Sequence, residues 1–137
     1  MTKPSQKVRG HTYLRDNHRC VAASNQCAGG IEWNHRENSG SGGRGSKAPE
    51  LTTADGVTLC TSHNQRLEAD LQDLGWAMGW KILRNRGSLP ASAIPYFDCT
   101  DRLWYLPGEG ATKQEINATT AQELLELAGN YRKKKVA

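Results

Sequence analysis

Three cysteines and one histidine in the first half of the chain carry the spacing of a metal site. Cys20 and Cys27 are separated by six residues, and Cys60 and His63 by two, within Leu59-Cys60-Thr61-Ser62-His63-Asn64. Zinc takes four soft or borderline ligands in a tetrahedron, and structural sites are commonly built from two loops that give two ligands each. The Cys-x-x-His step suits a knuckle that opens a helix, although the first pair is wider than usual. The competing reading is four ordinary side chains, three of them buried thiols. Cys99 lies far from this group and reads as a lone thiol. Two other residues can do separate chemistry: His35, in Ile31-Glu32-Trp33-Asn34-His35-Arg36, and Asn64.

These residues need elements to hold them. Ile31 to His35 alternates apolar and polar, which predicts a short strand. Asp55-Gly56 is a turn signal, and Val57 to Cys60 predicts a second strand. A helix is then expected with Ser62 as its cap, Leu67, Leu71 and Leu74 on one face, and Gly75 as its stop. Residues 36–56 form a long Gly/Ser-rich connection, read as a flexible spacer. Residues 1–10 read as disordered. Lys81 to Arg84 and Arg102 to Leu106 are expected strands. Trp76, Trp80 and Trp104 read as core rather than as base-stacking surfaces. Thr120-Ala121-Gln122-Glu123 fits a capping box. It opens a last helix with Leu124, Leu125 and Leu127 on its apolar side and Gly129 at its end.

A strand with His35, a long loop, a strand ending at Cys60 and a helix from His63 make a ββα unit pinned by metal ligands. At this point the sequence resembles the HNH endonucleases, in particular small HNH proteins of actinobacterial viruses and their hosts. The features that carry the resemblance run in order through residues 18–106. They are Cys20 and Cys27, Trp33-Asn34-His35-Arg36, Ser41-Gly42-Gly43, Asp55-Gly56-Val57-Thr58-Leu59-Cys60, the helix start at His63-Asn64, Gly79-Trp80 and Pro95. The resemblance implies hydrolysis of DNA phosphodiesters with one catalytic Mg²⁺ or Mn²⁺ beside the structural Zn²⁺. It implies His35 as the general base and Asn64 as a ligand of the catalytic metal. Asp55 would stand at the position that fixes the base, and Arg36 would contact a phosphate oxygen. Asn34 stands where relatives place a second metal ligand. Glu68, four residues after Asn64, would be a replacement ligand on the same helix face.

The expected fold is therefore α+β: a zinc-stabilised ββα-metal, treble-clef-like unit with a small C-terminal β/α extension. The expected organisation is a basic flexible arm (1–17), an HNH-like domain (18–106), and a C-terminal helix with a basic tail (107–137). The net charge of +4 is unevenly placed. Residues 1–20 and 131–137 each carry +4, and the middle of the chain carries −4. Basic arms suit a phosphate backbone, so DNA is the expected partner. Clustered Cys, with no apolar leader and no run able to span a membrane, point to a reducing cytoplasm, the host's if the protein is viral. The rival functional reading is a catalytically inactive zinc protein of the same fold that binds DNA or a protein partner. A third is an unrelated zinc protein acting on RNA or protein.

Overall fold

The computed structural model describes residues 3–37 and 50–131. The Ser39–Ser46 run and the basic residues Arg132 to Lys135 lie outside them. The chain is mixed α and β with two small antiparallel sheets. β1 (Ile31–His35) pairs with β2 (Gly56–Cys60) in the register Ile31↔Cys60 to His35↔Gly56. α2 (Thr61–Arg66) follows β2 without a break. Gly56 is required here, because a Cβ would lie 2.1 Å from the Trp33 indole.

Of the residues 1–10 expected to be disordered, 6–10 are helical. α1 (Gln6–Arg15) starts at Ser5, whose hydroxyl accepts from Val8 N. It ends where Asn17 and His18 turn left-handed. The helix buries Thr12 and Arg15 and has no apolar stripe, so periodicity carries no signal for it. A polar network docks it instead. Trp33 Nε1 donates to Thr12 Oγ1, and Arg15 donates to Thr53 O and Gly56 O. Asp16 accepts from Arg15, Thr58 N and Tyr96 OH. All of these groups are buried and paired, which is the condition for burying them without loss. Within the expected arm 1–17, residues 6–15 are therefore a docked helix and not flexible.

The long helix expected from Ser62 to Gly75 is two short ones. α2 ends at Arg66, and α3 (Gln72–Ala77) begins after a turn and contains Gly75. The three leucines do not share one face: Leu67 is fully buried, while Leu74 is 40 % exposed. Lys81 to Arg84 is not a strand; only Ile82 makes a bridge, to Glu37. β3 (Tyr96–Asp98), β4 (Leu103–Pro107) and β5 (Lys113–Ile116) form the second sheet in that order. β4 agrees with expectation. α4 (Ala118–Leu127) is capped by Asn117, which accepts from Thr120 N, so Thr120 lies inside the helix. Gly129, at φ 82°, stops it. Its buried side is Ala121, Leu125 and Ala128, and Leu127 faces out.

Two apolar clusters tie these pieces together. One joins Cys20, Val21, Leu59, Cys60 and Leu67 to Trp80, Tyr96 and Tyr105. The other packs Ile82, Ile94 and Trp104 under α4. Trp76, Trp80 and Trp104 are all buried, as expected of core.

Candidate metal centre

β2 ends on Cys60, which is also the N-cap of α2: its Sγ accepts from His63 N at 3.4 Å. This puts the ring of His63 one turn away, on the inner side of the helix. The loop from Cys20 brings the other pair, held by turns in which Cys20 O accepts from Ala23 N and Ser24 O from Cys27 N. The ligand atoms of Cys20, Cys27, Cys60 and His63 all lie within 4.8 Å of one another. His63 Nδ1 stands 3.1 Å from Cys60 Sγ, 3.5 Å from Cys27 Sγ and 3.7 Å from Cys20 Sγ. Tetrahedral zinc with bonds of about 2.3 Å to sulfur and 2.0 Å to nitrogen needs S···N separations of about 3.5 Å. The donor set and its spacing therefore fit a single ion such as Zn²⁺. Ser24 Oγ lies 3.3 Å from His63 Nε2. The hydroxyl can accept a proton held on Nε2, which would leave Nδ1 as the ligand, the outer-shell arrangement typical of metal-binding histidines.

The thiols pull in opposite directions without an ion. Burial raises the Cys20 thiol, helped by the neighbouring Cys60 and Cys27 sulfurs, against hydrogen bonds from the Cys60 and Ala22 backbone. At Cys60 burial also opposes the charge, but hydrogen bonds from His63, the Ala28 backbone and Cys27 outweigh it and bring the thiol down to about 6. Three sulfurs this close cannot all carry charge unless a cation shares it.

The residues expected to act on substrate are not gathered in this way. Arg36 is 1 % exposed. Its guanidinium donates to Gly79 O, Ala54 O, Ala91 O, Ile94 O and Pro95 O. It is a structural hub and is not presented to a phosphate. Asn34 is buried, and its Nδ2 donates to Trp80 O at 3.0 Å. Asp55 accepts from Thr52 N and Thr52 Oγ1, closing the turn before β2. Both bonds use its Oδ2, so this carboxylate serves to close that turn. Glu68 lies beyond the end of α2 and pairs with Lys81 Nζ at 2.8 Å, so it does not continue the face that carries Asn64.

His35 is half-buried at the end of β1, its ring edge-on to Trp33 at 4.8 Å. Alternation along a strand puts Trp33 and His35 on the side of α1, and Glu32 and Asn34 on the other. Asn64 belongs to that other side: its Nδ2 donates to Glu32 Oε1 at 2.7 Å, and Thr61 Oγ1 donates to Glu32 Oε2 at 2.6 Å. These two bonds hold the Glu32 carboxyl below its ordinary range. Glu32 and Ser24 are the site residues that sequence reasoning misses. The alternation of Glu32 with Asn34 is the available signal for the first; nothing in the sequence points to the second.

No protein-family model, curated protein or solved structure matches the chain. Among the described residues no helix is long and apolar enough to cross a membrane.

Proposed function

We propose that this chain is a DNA-acting protein of the HNH type, a metal-dependent endonuclease whose ββα unit is pinned by zinc. The observation that carries the reading is the β1–β2–α2 unit closed by the Cys₃His cluster, with the Glu32–Asn64 pair beside it. A carboxylate and a carboxamide oxygen at the first turn of α2 are hard donors that suit Mg²⁺ or Mn²⁺. Such an ion supplies charge stabilisation at the phosphate and at the departing oxygen. Glu32 orients the Asn64 carboxamide through its nitrogen and leaves the oxygen end for a ligand. His35, an imidazole at the end of β1, is the candidate to accept a proton from water. Arg36 and Asn34 build the site's frame and do not touch substrate.

A second reading is a module of the same fold that binds DNA without turnover. The placement of His35 on the α1 side of β1, away from Asn64, favours it. Supercoiled-plasmid cleavage with Mg²⁺, Mn²⁺ or EDTA separates the two. Under the endonuclease reading, His35→Ala lowers the rate by about 10²–10⁴ with zinc content unchanged, and Asn64→Ala behaves alike. Retention of plasmid in gel shifts with no cleavage under any metal establishes the second reading instead.

A further inference from the structure

A pocket of about 360 Å³ opens between α1 and β1, lined by Lys3, Arg9, Tyr13, Glu32 and Trp33 among others. No residue of it belongs to the cysteine cluster, and three of these five come from outside the ββα unit. Lys3 and Arg9 are exposed, Tyr13 is half-buried, and Trp33 shows only an edge. Two cations line the pocket, while the one carboxylate among these residues, Glu32, is turned to the other face of β1, where it accepts from Thr61 and Asn64. The pocket therefore favours an anion. Tyr13 sits against this charge: burial raises its phenol, with Arg9 opposing and Glu32 adding to the effect.

The walls are fixed before any ligand arrives. The Trp33–Thr12 bond, the Arg15 bonds to Thr53 O and Gly56 O, and the bond from Thr58 N to Asp16 hold α1 on the hairpin. An anion held by Lys and Arg beside an aromatic face is the chemistry of a nucleotide: phosphate on the cations, base on the ring. The volume lies at the small end of ligand pockets and suits one such unit. Glu32 lines this pocket, and its carboxylate holds Asn64 at the start of α2 on the other face of β1.

We infer that this α1–β1 pocket takes one nucleotide of a DNA strand, its phosphate against Lys3 and Arg9 and its base against Tyr13. The inference rests on the DNA-acting reading above and adds a substrate subsite to it. The test is a titration of the full ¹⁵N-labelled chain with the dinucleotide pdTpdT, with inorganic phosphate as the comparison. Saturable shifts are expected at Tyr13 and Trp33, with weaker binding of phosphate alone. Lys3→Ala/Arg9→Ala, at two exposed positions, should lower the affinity for a short single strand. It should also reduce the salt slope by about 0.7 for each phosphate no longer neutralised. Tyr13→Leu should weaken binding by about 5- to 100-fold, and Tyr13→Phe, which keeps the ring, should not. Shifts elsewhere only, equal affinity for phosphate, or an unchanged salt slope in the double variant would overturn the assignment. None of these readouts needs cleavage. A chain that binds the dinucleotide here and cuts nothing refutes the endonuclease reading alone; one that cuts plasmid without a response at Tyr13 refutes the subsite alone.

Discussion

Replacing Arg36 by Met keeps the length of the side chain and removes every donor. Five backbone carbonyls, from Ala54, Gly79, Ala91, Ile94 and Pro95, then lose a charged partner. Hydrogen bonds from a charged donor contribute about 1.5–3 kcal/mol each, so the gross loss exceeds about 7 kcal/mol. Part of it is returned, because the fold no longer keeps a guanidinium out of water, a cost of several kcal/mol. That cost is visible in Arg36 itself, whose pKa burial and the nearby Arg15 push down to about 9. The expected net loss is about 3–5 kcal/mol, the range for breaking a buried charged network. With 137 residues and an unfolding entropy of about 2.1 cal/mol/K per residue, Tm should fall by about 10–17 °C. Circular dichroism melting measures it. Arg36→Lys should recover little, since one ammonium cannot span carbonyls that a planar fork reaches. A variant that melts within about 3 °C of wild type but has lost DNA affinity would refute the argument and return Arg36 to the phosphate.

Freshly purified protein should contain one zinc per chain by elemental analysis; Cys60→Ser should lose it and the hairpin–helix unit with it. Ser24→Ala should keep the fold and weaken zinc binding by about tenfold in a chelator competition; an unchanged affinity would remove Ser24 from the site. Burial first, then Asp16, raises the phenol of Tyr96 above its ordinary 10.0, against Arg15 and Arg36. The unfolded chain therefore releases that proton first, and stability should fall as pH rises above about 10. Burial and Asp101 raise Tyr105 in the same direction. Urea titrations of wild type and Tyr96→Phe across that range should show a shallower decline in the variant; parallel curves would contradict the assignment.

What is legible in the sequence follows from where local rules apply. The β1–β2 hairpin is visible because alternation and an Asp-Gly turn are local signals. The four clustered ligands are visible because zinc demands particular residue types. Gly129 reads correctly because a left-handed helix stop needs no tertiary information. α1 escapes because it docks through Thr12, Arg15 and Asp16, and a polar interface leaves no apolar stripe. Leu67, Leu71 and Leu74 suggest one helix because periodicity does not register the turn after Arg66. Arg36 is misplaced for a similar reason. Beside a histidine in a polar stretch it resembles a phosphate ligand, and its real partners lie up to 59 residues away in sequence.

Cys60 closes β2, caps α2 and supplies a sulfur to the cluster, all with one side chain. α2 has six residues, too few to persist as an isolated helix. If the cluster holds zinc, backbone order from 61 to 66 should follow its occupancy. A shortage of zinc would then make that segment the point where a protease enters, ahead of α1 or α4. The steady amount of this protein would then follow the zinc supply of the cell, and limited digestion of the chelated chain should begin between Cys60 and Leu67.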